Sequence, residues 1–301
     1  MRPFRPPRVD AHVHAWSAPD ASHVAPMLGA RPGAPLQAGG APALLAALDA
    51  ASVGSALVVQ PACYAFDHSY VLDAARASGG RVRVCASVDP SLPAISAVMA
   101  AHALADAGVA ALRFNPYLDG WDPDEGLASD TGLATADTAA ARGVPVCVMA
   151  FKGLAPLAPA INRIMRTVPS VRVVLDHCGF VGASALDGPD ARALASLAAA
   201  HPDRLTVKAS AWFRVAGNAD GAPGVDGTAA RGLMAWLLDT VGPARLMWGT
   251  DWPWAMEHGT YEGAWALLDE WEREGLLSAA DAAAVGGGNA ATLFGFNDGD
   301  A

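Results

Sequence analysis

The sequence predicts an α/β fold in which eight parallel strands form one (β/α)8 barrel of the TIM type. Eight short apolar, β-branched segments recur along the 301 residues, and alanine- and leucine-rich segments with helical spacing lie between them. Strands that are apolar throughout are typical of a parallel sheet whose two faces are both covered. The length is also typical of one such barrel, so we predict a single domain over residues 1–301.

The order of the segments defines the predicted elements. The strands are predicted at residues 8–15, 54–61, 81–88, 108–115, 144–151, 171–178, 204–211 and 245–252, and helices at residues 42–51, 69–80, 96–108 and 190–202. The alternative is a doubly wound open sheet, which usually has a glycine-rich phosphate-binding turn after its first strand. Here the first strand ends in HAWSAPD, which favours the barrel.

Two long segments that follow strands are predicted to be loops above the carboxyl end of the barrel. Residues 17–41 are rich in proline, glycine and alanine, and residues 214–232 are rich in glycine. Loops in this position act as lids, set specificity, or serve as plain connections. The C-terminal segment is predicted to form a helix, a glycine break and a short last helix that Asn289 caps.

Composition and charge argue against several classes of partner. Hydrophobic residues make up 52% of the chain and charged residues 17%, which favours a large core over disorder. The net charge is −10 and there is no basic run, which argues against nucleic acid. We find neither a signal-peptide segment nor the ~20 apolar residues of a membrane span, so we expect a cytoplasmic protein with a small-molecule substrate.

The four cysteines are widely spaced within apolar segments and form no CxxC pair. This pattern predicts reduced and mostly buried thiols. Cys178 directly follows His177, so a role as a metal ligand is a minor alternative.

Polar side chains stand at the carboxyl ends of the predicted strands, where a barrel assembles its active site. His12 and His14 are two residues apart on one strand, so we expect them to share a face. Buried charges are costly unless they are paired or used, so this placement indicates function. The candidate site residues at these strand ends and in the loops that follow them are His12, His14, Gln60, Tyr64, Arg113, Asn115, His177, Lys208, Ser210, Arg214 and Asp251.

Four motifs occur in order along the chain: HVH at 12–14, LDHCG at 175–179, VKAS at 207–210 and MWGTDWPW at 247–254. Together they resemble the amidohydrolase superfamily, and in particular the family 2 branch with lactonases of the 2-pyrone-4,6-dicarboxylate hydrolase and L-fuconolactonase type. The resemblance extends from Val9 to about Phe294. HxH is a weak motif by itself, whereas the ordered set is specific. The resemblance implies a distorted (β/α)8 barrel and hydrolysis at a carbonyl group.

The same resemblance implies that His12, His14, His177 and Asp251 are the catalytic residues, and the other candidate residues are predicted to bind the substrate. Asp251 would be the general base on water, and the three histidines would polarise the carbonyl group or hold a metal ion. Arg113 is suited to bind a carboxylate or carbonyl group of the substrate. We therefore predict a lactonase that acts on a sugar-acid lactone or on a pyrone or muconolactone carboxylate. The alternatives are a mononuclear zinc-dependent hydrolase or decarboxylase of an aromatic or muconic acid, and a barrel that binds without catalysis.

The fifth strand determines the expectation about a metal ion. Metal-dependent amidohydrolases commonly carry a histidine or a carboxylated lysine at its end. This chain has Met149 or Phe151 there, with Lys152 beyond. We therefore expect catalysis without a cofactor. The alternative is one Zn²⁺ or other divalent cation, with three or four protein ligands. Its ligands would come from His12, His14, His177 and Asp251.

Overall fold

The eight strands form one sheet of parallel neighbours in chain order, so the prediction of a (β/α)8 barrel is confirmed. The computed structural model describes residues 7–17, 39–122 and 124–296. Each predicted strand segment overlaps one observed strand, and β2 begins one residue before its predicted segment. The strands are β1 (Arg8–Val13), β2 (Val53–Val59), β3 (Val82–Ser87), β4 (Ala111–Phe114), β5 (Val146–Val148), β6 (Val173–Leu175), β7 (Leu205–Ser210) and β8 (Leu246–Gly249).

Helices connect successive strands, and the four predicted helices are all observed. None of the helices in the described ranges has the length and apolar character needed to cross a membrane. The helices are α1 (Ala41–Ala50), α2 (Ser69–Ala77), α3 (Ala94–Asp106), α4 (Asp130–Ala141), α5 (Ala158–Thr167), α6 (Pro189–Ala200), α7 (Trp212–Val215), α8 (Gly227–Thr240), α9 (Tyr261–Arg273), α10 (Ala279–Ala283) and α11 (Asn289–Phe294).

The strands are buried on both faces because alternate side chains enter two different apolar clusters. Ala56 and Val58 of β2 belong to the large cluster between sheet and helices. Leu57 and Val59 belong to a smaller cluster drawn from several strands, which also contains Phe294 of α11. The smaller cluster therefore fills the barrel, and the last helix packs against it. All four cysteines are free and three of them are buried, which confirms the prediction for the thiols.

The two predicted loops have different outcomes. Residues 18–38 of the first lie outside the described residues. The second is not a loop throughout, because α7 contains Arg214 and α8 begins at Gly227. The carboxylate of Asp226 accepts hydrogen bonds from the backbone N–H groups of Thr228 and Ala229, which caps α8 at its first turn. The helix therefore starts inside the glycine-rich segment.

The prediction that Asn289 caps the last helix is wrong, and so is the predicted glycine break. Residues 284–288 form a π-helical turn that continues α10 into α11. Asn289 has a helical backbone, and its side-chain amide donates to the carbonyl oxygens of Pro243 and Leu246 at 2.8 and 2.7 Å. Glycine is needed at 287 because a Cβ atom there would overlap the carbonyl oxygen of Pro7. The close approach fixes the C-terminal helices against β1 and β8.

The seam between β1 and β8 closes the barrel with little regular ladder pairing. In the described chain the two segments share one isolated parallel bridge, between Val13 and Trp252. Two backbone hydrogen bonds support it, from Asp251 to His12 at 2.8 Å and from His14 to Trp252 at 2.7 Å. The pairing of β1 with β2 also changes register along the strand. The seam therefore departs from a regular ladder at the residues that carry the catalytic motifs.

A buried carboxylate completes this seam. Asp10 accepts hydrogen bonds from the backbone N–H groups of His12 and Thr250 through Oδ1, at 3.1 and 3.0 Å. Its Oδ2 accepts from the hydroxyls of Thr250 and Tyr261, at 2.7 and 3.0 Å. Burial raises the pKa of Asp10 to about 6, although these bonds favour the ionised form. The link between β1, β8 and α9 therefore contains an acid with an unusually high proton affinity.

We expect Asp10→Asn to change the pH dependence of stability. The folded pKa of about 6 exceeds the ordinary 3.8, so protonation of Asp10 stabilises the fold at low pH, and that gain is lost as pH rises through 6. Relative to Asp10→Asn, the wild-type free energy of unfolding should fall by about 3 kcal/mol between pH 4 and pH 7. Urea denaturation at both pH values measures this difference. The exposed Asp73→Asn is the control, and a pH-independent difference for Asp10→Asn would contradict the account.

Candidate active site

The carboxyl ends of β1, β6 and β8 bring the four predicted catalytic side chains together. The rings of His12 and His14 lie with centroids 5.1 Å apart, and the rings of His12 and His177 are 4.3 Å apart. Oδ1 of Asp251 lies 3.3 Å from Nε2 of His14 and 3.8 Å from Nε2 of His12. β1 ends at Val13, so His14 lies just beyond the strand, yet it still reaches the same site as His12.

His14 is held so that its second nitrogen faces a carboxylate. Its Nδ1 lies 2.8 Å from the carbonyl oxygen of Val59. A carbonyl oxygen can only accept, so Nδ1 carries the hydrogen, and in a neutral ring Nε2 then has a lone pair. That lone pair lies opposite Oδ1 of Asp251 at 3.3 Å. Two acceptors at this distance require a positive charge between them, which is either a second ring proton or a metal ion.

His12 contributes a third donor atom to the same point. Nε2 of His12 and Oδ1 of Asp251 are buried and have no hydrogen-bond partner within the described part of the chain. The ligand atoms offered by His12, His14 and Asp251 all lie within 4.8 Å of one another. Three nitrogen and oxygen ligands with an open position match a catalytic zinc site. These residues therefore fit a divalent cation.

Asp251 is ionised at neutral pH in this arrangement. Burial alone would raise the pKa of its carboxyl, but the surrounding histidines lower the pKa well below its usual range. Its second oxygen, Oδ2, accepts a hydrogen bond from Nε of Arg214 at 3.0 Å. One oxygen therefore faces the histidines and the other is fixed by the guanidinium group.

His177 lies in a strained turn after β6. His177, Cys178, Gly179 and Phe180 have φ values of 52°, 56°, 63° and 55°, which is the left-handed region. Such a backbone costs a non-glycine residue about 1–2 kcal/mol, and strain of this kind is concentrated at functional sites. The turn places Nδ1 of His177 2.9 Å from the hydroxyl of Ser210. Burial lowers the pKa of His177 to about 4, so the ring is neutral at pH 7.

The fifth strand supplies no ligand to this site. Met149 follows β5, and its sulfur accepts from Nη2 of Arg113 at 3.2 Å. Phe151 is 54% exposed. The ammonium group of Lys152 lies 5.4 Å from the centre of the Tyr117 ring. The residues at the end of β5 therefore supply no ligand, but the three donors from β1 and β8 converge without a ligand from that strand.

Four of the predicted substrate-binding side chains are buried and bonded to other protein groups. Gln60 donates to the carbonyl oxygens of residues 65 and 67. Lys208 lies 2.9 Å from Asp176, and Ser210 contacts His177. Arg113 is paired with Asp176 at 3.3 Å, and its side chain is 3% exposed. These four side chains support the site from below, so the geometry does not favour direct contact with a substrate.

Of the remaining predicted residues, Asn115 and Tyr64 are also buried and bonded to protein groups, whereas Arg214 is partly exposed. Asn115 accepts from the backbone N–H of Tyr117 and thereby forms a turn. The hydroxyl of Tyr64 bonds the backbone and hydroxyl of Ser17 at 2.7 and 2.9 Å. Arg214 keeps 30% of its side chain exposed while it holds Asp251. Arg214 is therefore the predicted cation best placed to meet a substrate.

An open cleft of about 550 Å³ lies beside Arg214. Aromatic rings form its walls. Phe151 meets Phe180 edge to face at 5.6 Å, and Phe180 meets the ring of His177 at 5.2 Å. On the other side the guanidinium group lies 4.8 Å from the Phe213 ring. The cleft therefore suits a flat or ring-shaped molecule with a negative group. Its lining residues are Phe151, Lys152, Gly153, Phe180, Asp190, Phe213, Arg214 and His258.

Sequence reasoning assigned no role to two buried acids, and it missed part of this cleft. Asp10 and Asp176 each interrupt an apolar strand segment, and a buried charge that needs partners is a signal that could have identified them. Phe180 and Phe213 meet the site through the turns after β6 and β7. No sequence spacing indicates that contact, because the two turns are far apart along the chain.

The fold and the converging His-His-Asp donors define a barrel hydrolase with a site that fits a metal ion. The family model for amidohydrolases matches residues 9–296, so the chain belongs to the amidohydrolase family. A relative, the L-fucono-1,5-lactonase of Burkholderia multivorans, is 42% identical over 57 residues, which is 19% of this chain and 19% of the relative. The matched segment thus spans about a fifth of the length of that lactonase.

Solved structures with the same fold cover nearly the whole chain. A probable 2-pyrone-4,6-dicarboxylic acid hydrolase from Acinetobacter baumannii, with citric acid bound, has a TM-score of 0.74 at 20% identity and covers 96% of this chain and 99% of its own. An amidohydrolase from Burkholderia multivorans with bound zinc has a TM-score of 0.69 at 23% identity, with the same coverage of both chains. At these identities the similarity establishes the fold.

The expectation of a site without metal is not supported. It was based on the missing ligand at strand five, whereas His12, His14 and Asp251 already form a group that could hold an ion. Three protein ligands are sufficient for a catalytic cation.

We expect His177 to stay neutral down to about pH 4 in the metal-free protein. Its folded pKa lies below the ordinary 6.5, so the stability it contributes is complete above pH 6.5 and is lost as pH falls through 4. The loss amounts to about 3 kcal/mol. An NMR titration of the ring, assigned with a His177→Gln variant, measures the midpoint. A midpoint at pH 6 or higher would show that burial does not control the pKa of this ring.

Proposed function

We propose that this protein hydrolyses a small lactone and that His12, His14 and Asp251 hold one divalent cation for this reaction. The observation that carries the proposal is the meeting of two acceptors, Nε2 of His14 and Oδ1 of Asp251, at 3.3 Å. Nδ1 of His14 is committed to the carbonyl oxygen of Val59, so the ring cannot present an N–H to Asp251 without becoming a cation.

The residues around this point fit the opening of a cyclic ester. A bound divalent cation would supply Lewis-acid polarisation and a more acidic water. The carboxylate of Asp251 takes the proton from the attacking water and later gives it to the ring oxygen when the acyl C–O bond breaks. Arg214 keeps that carboxylate oriented through Oδ2.

His177 is the histidine best suited to polarise the carbonyl group. Its Nδ1 lies 2.9 Å from the Ser210 hydroxyl, and the carbonyl oxygen of Lys208, the other acceptor for that hydroxyl hydrogen, is farther away at 3.4 Å. When Ser210 donates to Nδ1, Nε2–H of His177 is free for the substrate. His12 and His14 were expected to share this role. In the proposed site their Nε2 atoms act as ligands instead.

The substrate class follows from the cleft and is supported by the relatives. Aromatic walls suit a ring, and Arg214 suits a carboxylate or another anionic group. The similarity to an L-fucono-1,5-lactonase and to a probable 2-pyrone-4,6-dicarboxylic acid hydrolase supports lactones of sugar acids and of pyrone carboxylates as candidates. We therefore propose an acidic lactone.

A lactone panel combined with metal removal tests the proposal. We expect the protein to bind about one zinc ion per chain and to open at least one aldonolactone, pyrone carboxylate or muconolactone. Asp251→Asn should lower kcat at least about 100-fold, because a positioned base contributes 10²–10⁴-fold. Asp89→Asn, in the turn after β3, is the control. Carbon dioxide release from an aromatic or muconic acid, without lactone opening, would instead favour a decarboxylase.

Replacement of Arg214 by methionine tests recognition of the anionic group. We expect Arg214→Met to raise KM for an anionic lactone by about 10- to 100-fold more than for a neutral one, because a hydrogen bond to a charged group contributes about 1.5–3 kcal/mol. Steady-state kinetics on the two substrates measure the ratio. Lys152→Met removes a second cation from the same cleft and controls for net charge. Equal changes for both substrates would contradict the assigned role.

A further inference from the structure

A buried charge cluster lies directly beneath His12. The carboxylate of Asp176 is 2.9 Å from Nζ of Lys208 and 3.3 Å from Nη2 of Arg113. Nδ1 of His12 lies 3.3 Å from Oδ1 of Asp176 and 3.3 Å from Nζ of Lys208. Asp176, Lys208 and His12 are all 0% exposed. None of the three can reach a substrate in the open cleft, so a role for the acid and the lysine must act through His12.

The acid and the lysine are both ionised. Burial would raise the pKa of Asp176, but Lys208, His12 and Arg113 lower it well below its usual range. Burial would likewise lower the pKa of Lys208, but Asp176 and the thiols of Cys147 and Cys85 raise it. The ammonium group of Lys208 lies against this carboxylate, and its nitrogen is 5.9 Å from the centre of the Phe294 ring. Such a pair is retained in a barrel interior only if its partners compensate its burial.

His12 has two possible neutral tautomers in this position. If Nδ1 accepted from Lys208, the ring hydrogen would be on Nε2, which has no hydrogen-bond partner and lies 3.8 Å from Asp251. If Nδ1 donates to Asp176, the hydrogen is directed at Oδ1, and Nε2 then presents a lone pair to the proposed cation site. Oδ1 is a buried oxygen that is ion-paired with Lys208 and has no other hydrogen-bond partner within the described part of the chain. The second arrangement also matches His14, whose Nδ1 hydrogen is fixed by Val59.

We propose that Asp176 is a positioning residue that accepts the Nδ1 hydrogen of His12 and so keeps the Nε2 lone pair of His12 directed at the cation site. Carboxylates that orient a histidine ligand in this way commonly contribute 10- to 100-fold to metal affinity. The role in metal binding rests on the proposed cation site, whereas the tautomer assignment depends on the cluster alone.

The wild-type protein without metal tests the tautomer directly. We expect ¹⁵N NMR of the His12 ring, assigned by its loss in His12→Gln, to show a protonated Nδ1 and an unprotonated Nε2. A hydrogen on Nε2 would overturn the proposal. This experiment needs neither activity nor a bound ion, so its result does not depend on whether the protein hydrolyses a lactone.

Two variants separate the acid from the lysine. Lys208→Met leaves Asp176 paired with Arg113 and still able to accept from His12, so zinc affinity, measured by competition with a chromophoric chelator, should change less than about 3-fold. Asp176→Asn combined with Lys208→Met removes one charge of each sign, and the affinity should fall about 10- to 100-fold. If the two variants bind zinc with the same affinity, the role of Asp176 is overturned. If the double variant does not fold, the ¹⁵N NMR spectrum of the His12 ring in Lys208→Met is the test instead. Asp176 should still keep the hydrogen on Nδ1 of His12 in that variant, and a hydrogen on Nε2 would overturn the proposal.

Discussion

The site depends on how β1 is joined to β8. His12 and His14 come from the end of β1 and Asp251 from the end of β8, so the distance between the ligand atoms is set by this seam. Regular pairing is sparse there, and the Asp10 carboxylate supplies four hydrogen bonds in its place. A regular ladder would give a fixed register, whereas the irregular seam lets residues of both segments turn toward one point.

Charge is arranged in two levels around the histidines. Above them, Asp251 is fixed by Arg214 at the edge of the open cleft. Below them, Asp176 is paired with Lys208 and Arg113 in the barrel interior. Between these levels, burial lowers the pKa values of His12 and His177, which favours their neutral form. Neutral imidazoles between two fixed carboxylates provide lone pairs, which is the condition for binding a cation.

The sequence was sufficient to locate the strands and to predict that the candidate side chains at the ends of β1, β6 and β8 lie together, because apolar periodicity locates strands and strand ends share one face of a barrel. It was insufficient wherever function depends on which side chains meet across strands. Arg113 and Lys208 looked like substrate ligands because both stand at strand ends, yet their charges are used by Asp176. Asn289 looked like a helix cap, but contacts with β8 extend the helix through it. Such pairings depend on distances that spacing along the chain does not determine.

The expectation about metal shows why one position is a weak guide to a coordination site. A missing ligand at strand five argues against an ion that needs that ligand, but not against an ion whose donors come from elsewhere. The deciding feature is the hydrogen that Val59 fixes on Nδ1 of His14, because it leaves a lone pair facing the Asp251 carboxylate. Two acceptors in a buried site repel each other unless a cation lies between them. The hydrogen-bond network outside the site thus calls for a positive charge between these two groups, either a second ring proton or a metal ion.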